Sequence, residues 1–170
     1  PGEIAPLEKV DTPDCKTIDD LCTFLKIKPQ QTCKAVMYQR NADDSFVIVF
    51  IRGDLDVNET KLRNFLKAEV HPAVVTEDSG IHAGFTGPIG LPEGVTVVYD
   101  RSLEGIQWFA TGACEEDRHY VGFNIARDVG EVTYVDVAKV VDGCTCPKCG
   151  GKNIYTSRGI EVGNIFQLGT

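Results

Sequence analysis

Residues 17–51, TIDDLCTFLKIKPQQTCKAVMYQRNADDSFVIVFI, change their apolar period halfway along, and that change decides the fold class. Ile18, Leu21, Cys22 and Leu25 fall at i, i+3, i+4 and i+7, one stripe of a short helix that places Cys22 in the core. Thr17 with Asp20 three residues on makes a capping-box start, Asp standing in for the usual Glu. Lys28-Pro29 stops the helix. Ala35–Gln39 and Phe46–Ile51 then read as two strands joined by the turn-rich Arg40-Asn41-Ala42-Asp43-Asp44, which predicts a hairpin.

Working outward, residues 1–16 carry three of the eight prolines and little periodicity, so they read as an extended leader. After Arg52-Gly53-Asp54, the run Asn58-Glu59-Thr60-Lys61 starts a second helix whose buried face is Leu62, Phe65 and Leu66. Short strand-like runs separated by glycines follow at Ala73–Thr76, Val95–Tyr99, Trp108–Thr111, Tyr120–Ile125 and Val132–Val137. Several strands with two or three helices in no βαβ repeat predict an α+β, irregular α/β fold: a mixed, mostly antiparallel sheet flanked by helices in a single compact domain. Residues 17–142 are expected to form that domain and residues 143–153 a separate Cys- and Gly-rich loop. Arg158–Thr170, with Ile160, Val162, Ile165 and Phe166, reads as a strand belonging to something larger.

The 170 residues hold 17 Lys+Arg against 25 Asp+Glu, a formal charge of −8, and 42% hydrophobic residues, enough for a real core. The longest apolar run, Phe46–Ile51, is far too short to span a bilayer, and Pro1-Gly2-Glu3 does not open a signal peptide. A cytoplasmic location without membrane contact is expected, and the missing initial Met suggests an excised piece of a longer protein. The acidic balance argues against a general DNA or RNA binder, whose basic surface releases phosphate counterions, but leaves room for a local RNA site. Loose cation groups occur at Lys26, Lys28, Lys34 and Arg40 and at Arg52, Lys61, Arg63 and Lys67; such runs are mostly solvated faces.

Gly84-Phe85-Thr86-Gly87-Pro88-Ile89-Gly90-Leu91 packs three glycines and a proline into eight residues. Read alone this is a turn, but glycine also lets backbone amides approach a carbonyl or an oxyanion closely. Its neighbours give it meaning. Thr32-Cys33-Lys34, Arg52-Gly53-Asp54 with Asn58-Glu59-x-Lys61-Leu62, the Gly84–Leu91 loop, Asp100-Arg101-Ser102, Gly112-Ala113-Cys114-x-x-Asp117-x-His119-Tyr120 and Arg127-Asp128 occur in one fixed order. Together with Arg158-Gly159-Ile160-Glu161-Val162-Gly163-Asn164-Ile165-Phe166-Gln167-Leu168-Gly169-Thr170, this set closely resembles bacterial-type prolyl-tRNA synthetase. The likeness falls on the editing domain inserted into that enzyme, with residues 154–170 as the segment where the chain rejoins the catalytic domain.

The resemblance implies a deacylase fold and hydrolysis of alanyl-tRNA(Pro) made in error. A smaller amino acid cannot be rejected strongly by a pocket built for a larger one, so a second sieve removes it. It matches the family lysine to Lys34, the glycine-x-x-x-proline loop to Gly84, Phe85, Thr86, Gly87 and Pro88, the aspartate to Asp100 and the pocket histidine to His119. By residue type, Lys34 would hold a phosphate or ribose of the acceptor end and the loop amides would polarise the ester carbonyl. His119 would shape the amino-acid pocket, and Asp100 would bind the substrate amine or hold that wall. No residue reads as a nucleophile, which leaves a substrate-assisted mechanism using the terminal adenosine's hydroxyl. Taken singly, Lys34 reads as a surface cation, Asp100 as a turn acid capping Ser102, and His119 as a structural imidazole, since isolated matches of this kind are mostly false positives. A cysteinyl-tRNA(Pro) deacylase and a silent, tRNA-gripping insertion are the alternatives. The implied partners are the tRNA(Pro) acceptor end and the remaining synthetase.

Two features depart from the family. Its Gly-His-Ile-Phe reads Gly163-Asn164-Ile165-Phe166 here, and the 76–84 stretch is short, opening one wall of the cleft. The seven cysteines are odd in number and irregularly spaced, unlike a disulfide framework. Cys144-x-Cys146-x-x-Cys149 is one zinc-ribbon knuckle with a spare thiol and no second knuckle, so no cofactor is expected and a decayed zinc site is the default.

Overall fold

A computed structural model describes residues 5–146, 148–159 and 163. The chain divides into two compact units, Pro1–Lys139 and Val140–Thr170. In the first, β1 (Glu8–Asp11) is followed by α1 (Ile18–Leu25), β2 (Cys33–Arg40), β3 (Phe46–Arg52), α2 (Glu59–Leu66) and β4 (Val70–Pro72). Then come β5 (Thr96–Asp100), β6 (Phe109–Gly112), β7 (Arg118–Phe123), α3 (Ile125–Asp128) and β8 (Tyr134–Val135). A five-stranded sheet runs β4-β2-β3-β5-β8 and a three-stranded sheet β1-β7-β6. β2 is antiparallel to β3 and β4, whereas β3–β5 and β5–β8 are parallel; the three-stranded sheet is all antiparallel. This is the mixed α+β architecture that the sequence predicts.

β3 explains how the molecule is layered. Val47 to Ile51 are all fully buried, because both faces of this central strand are covered, and a doubly covered strand is apolar without alternation. Val47, Val49 and Ile51 pack with Leu62 of α2, Val98 and Val137; Ile48 and Phe50 pack the other way, with Tyr99, Leu103, Phe109 and Phe123. Burying each such side chain contributes about 1.5–3 kcal/mol. A parallel bridge between Thr32 and Ala110 sets the start of β2 beside β6.

The caps follow the sequence. Thr17 and Asp20 form the reciprocal capping box of α1, Asn58 caps α2 through the Lys61 amide, and Lys26 and Lys67 end these helices in left-handed backbone. Five expectations change. The strand expected at Ala73–Thr76 lies earlier, at Val70–Pro72, where it pairs with Tyr38–Arg40. Ile125 opens α3 because Asn124 caps that turn, so β7 ends at Phe123. The strand expected at Val132–Val137 shrinks to Tyr134–Val135. Cys22 is half-buried and Phe65 is 49% exposed, because short helices bury only one residue each, Leu21 and Leu62. Within the stretch read as a leader, Glu8–Asp11 pairs with Arg118–Val121 as β1.

In the second unit, β9 (Cys144–Thr145) and β10 (Lys152–Ile154) form an antiparallel hairpin. The apolar positions of the strand expected at 158–170, and Asn164, lie outside the described residues. Among the described residues no helix is long and apolar enough to cross a membrane.

Candidate active site

The loop after the helical turn Glu77–Ser79 is held where a side chain would not fit. Gly84 has φ +85°, and a Cβ there would crowd the Lys16 carbonyl at 2.9 Å. A Cβ on Gly87 would overlap the carbonyl oxygen of Gly112, so the loop crosses the end of β6 backbone against backbone. Hydrogen bonds lock this crossing. The Cys114 amide donates to the Phe85 carbonyl at 2.8 Å, the Gly87 amide to Cys114 Sγ at 3.4 Å, and that thiol to the Gly87 carbonyl at 3.2 Å. The Phe85 amide and Thr86 Oγ1 both donate to the His82 carbonyl. Phe85 and Gly87 therefore spend their amides inside the protein. Among the described residues the Gly84 and Thr86 amides have no protein partner.

A cavity of about 280 Å³ opens between this loop, α1 and β2. Lys34, Gly84, Thr86 and His119 line it together, with Leu21 and Met37 as apolar walls. Lys34 projects from β2 with its side chain 23% exposed and its Nζ 3.1 Å from Asp56 Oδ1. Four of the residues singled out in the sequence thus meet at one place. Phe85, Gly87 and Pro88 stand behind them: Phe85 is buried edge-on against the His119 ring at 5.4 Å, and Gly87 and Pro88 form the back of the loop.

His119, on β7, is 3% exposed. Its Nδ1 lies 2.5 Å from the Thr12 hydroxyl. Burial pulls its pKa down to about 4, a shift partly opposed by hydrogen bonding to the Gly84 backbone, so the imidazole is neutral at physiological pH. A neutral ring held through its hydrogen bonds is suited to shaping a wall.

Asp100 is placed elsewhere. It is 1% exposed at the end of β5, and its two carboxylate oxygens accept from the Ser102 amide at 2.8 Å and the Val137 amide at 2.9 Å. It caps a turn and ties β5 to the segment after β8, and it does not line the cavity. The sequence reading missed Thr12 and Lys16. Lys16 lines the cavity beside Gly84, and the only sign of it is that it precedes the Thr17 cap.

In the second unit, Cys146 sits at the start of the knuckle turn, where the Gly150 amide donates to its carbonyl. Bonds from the Cys149 and Lys148 amides, and then from the Cys149 side chain, pull its thiol pKa down. Among the described residues no group of three or more His, Cys, Asp or Glu side chains could hold a metal.

The family model described as the aminoacyl-tRNA editing domain matches residues 12–127. The proline–tRNA ligase of Citrifermentans bemidjiense is 44% identical over 169 residues, covering 97% of this chain and 29% of the ligase. That of Thermotoga maritima is 41% identical over 172 residues, covering 99% of this chain and 29% of the ligase. The chain thus spans less than a third of the length of these relatives. A solved structure of a proposed trans-editing enzyme for prolyl-tRNA synthetase superposes with a TM-score of 0.66 at 14% identity, covering 79% of this chain and 87% of that one. That likeness shows a shared fold. With the family match spanning both the glycine loop and His119, the chain belongs to the aminoacyl-tRNA editing domain family.

Proposed function

We propose that this domain hydrolyses alanyl-tRNA(Pro), removing alanine attached in error, as part of a proline–tRNA ligase working where tRNA is charged in the cytoplasm. The observation that carries this reading is the 280 Å³ cavity where Lys34, Gly84, Thr86 and His119 converge without a nucleophile–base pair. An ester needs little more than orientation and charge stabilisation to be cleaved by water.

Lys34 holds the anionic or ribose part of the acceptor end. The Gly84 and Thr86 amides face the ester carbonyl and stabilise the oxyanion as water adds to its carbon. His119, neutral and hydrogen-bonded, limits the side chain that fits. The water proton passes by way of the neighbouring ribose hydroxyl to the leaving oxygen as the C–O bond breaks, giving alanine and a free tRNA 3′ end. No protein base is needed in this scheme, which agrees with the depressed pKa of His119.

Single-turnover deacylation of alanyl-, cysteinyl- and prolyl-tRNA(Pro) tests it. Alanyl-tRNA cleaved fastest supports the proposal; cysteinyl-tRNA cleaved fastest reassigns the substrate; no cleavage of any leaves a tRNA-gripping insertion.

A further inference from the structure

The knuckle in the second unit brings two thiols onto one turn of backbone. Between β9 and β10 the Cys146 amide donates to the Gly151 carbonyl at 2.9 Å, and the Gly150 amide donates back to the Cys146 carbonyl at 2.9 Å. Gly150 closes the turn at φ +68°, a conformation that side chains disfavour. Inside the turn the Lys148 and Cys149 amides donate to Cys146 Sγ, and so does the Cys149 thiol. We propose that Cys146 and Cys149 form a reversible dithiol–disulfide site that exchanges with small-molecule disulfides such as oxidised glutathione. The site is confined to the second unit, and it does not rest on the deacylase reading.

Such exchange needs two sulfurs within reach of each other, an attacking thiolate and access from solvent. The two sulfurs already share a hydrogen bond, so closing the S–S bond needs only a short movement. Two backbone amides aimed at Cys146 Sγ stabilise negative charge there, which makes this sulfur the attacker. Cys149 is exposed and Cys146 half-buried, whereas Cys15 and Cys33 are buried in the first unit. Gly151 leaves the second thiol its room, since a Cβ there would stand 3.3 Å from Cys149 Sγ. A solvent-accessible thiolate beside a resolving cysteine is the arrangement of redox-sensing thiols. Two thiols fall short of a tetrahedral metal set, and among the described residues no third His, Cys, Asp or Glu side chain joins them.

The chemistry balances in two displacements. The Cys146 thiolate attacks one sulfur of the small disulfide, forming a mixed disulfide and releasing a small thiolate. The Cys149 thiol passes its proton to that thiolate, and its sulfur attacks Cys146 Sγ to form the Cys146–Cys149 bond. The second small thiolate leaves and takes the proton that Cys146 had lost. Two electrons thus pass from the dithiol to the small disulfide, and an excess of small thiol runs the exchange backwards.

The test incubates the chain in glutathione buffers of increasing oxidised fraction, followed by an acid quench, thiol counting and peptide mapping. Oxidation is expected to lower the free thiols from seven to five, both losses falling on one Cys146–Cys149 disulfide, and reduced glutathione is expected to restore all seven. Cys149→Ser should stall with glutathione attached to Cys146, and Cys144→Ser should form the Cys146–Cys149 bond as the wild type does. A bond to Cys144 or to a cysteine of the first unit instead, an adduct on Cys146 that Cys149 does not resolve, or seven free thiols in fully oxidised glutathione each overturns the assignment. So does one equivalent of zinc, bound on purification, that keeps both thiols from reacting; the pair would then belong to a metal site.

Discussion

The Thr12 hydroxyl meets His119 Nδ1 at 2.5 Å in a fully enclosed contact that joins the end of β1 to the wall of the cavity. Thr12 is itself fixed by its amide, which donates to the Asp117 carbonyl at 2.8 Å. The orientation of the imidazole therefore depends on the first strand of the domain.

Thr12→Val keeps the shape and removes the hydroxyl. It leaves a buried ring nitrogen without a partner, a cost of about 1–3 kcal/mol. Urea unfolding should show this loss, and Thr12→Ser should restore most of it. Unchanged stability in the valine variant would mean that the contact does not hold the ring.

His119→Ala should widen the cavity more than it slows the chemistry. One or two methylenes are worth about 1–3 kcal/mol of discrimination in such pockets, so the ratio of alanyl- to prolyl-tRNA cleavage should fall by roughly 10- to 200-fold. If the rates on both substrates collapsed together by about two to four orders of magnitude, His119 would be the general base instead.

The same residue sets a pH dependence of stability. Its folded pKa of about 4 lies below the ordinary 6.5, so on acidification the unfolded chain takes the proton first. Its contribution is complete above about pH 6.5 and is lost as the pH falls toward about 4, a swing of roughly 2–4 kcal/mol. Urea midpoints for wild type and His119→Gln from pH 7 to pH 4.5 should diverge in favour of the variant at the acid end. Parallel curves would contradict the burial argument.

Lys34→Ala should reduce kcat/KM for alanyl-tRNA by about 30- to 150-fold, the equivalent of about 2–3 kcal/mol for a charged hydrogen bond. Its ion pair with the exposed Asp56 is worth at most about 1 kcal/mol, so the fold should persist and Asp56→Asn should retain activity. Full activity in Lys34→Ala would remove this lysine from the site.

Thiol reactivity should follow the environments of the cysteines. Burial pushes Cys33 up to about 12, whereas amide hydrogen bonds lower Cys146. Maleimide labelling at pH 7 followed by peptide mapping should modify Cys146 early and Cys33 last. In the same preparation, elemental analysis is expected to find less than one zinc per chain; a tightly bound equivalent would make the knuckle a structural metal site.

What the sequence reveals and what it hides divide by range. α1, its cap, and the β2–β3 hairpin are written in local period and turn residues, and they form as read. Lys34, Gly84, Thr86 and His119 are recognisable through their fixed order along the chain, and the cavity gathers them. Asp100 is different: an aspartate before Arg looks the same whether it faces a ligand or caps a turn, and only its bonds to Ser102 and Val137 tell the two apart. Thr12 is 107 positions from His119, and its role arises from the pairing of β1 with β7, which no local pattern announces. β4 was displaced for a related reason: Ala73–Thr76 has strand-forming residues, but the register with Tyr38–Arg40 ends at Pro72.

The crossing of Gly87 over Gly112 bears on timing. Two backbones in contact, tied through Cys114, leave the loop no hinge of its own; lifting it away would pull β6 from β7. The loop therefore moves only together with the end of β6, and on the proposed reading its amides are in place before an ester binds. On the deacylase reading proposed above, selection by this loop then falls at binding, without a later closing step of its own.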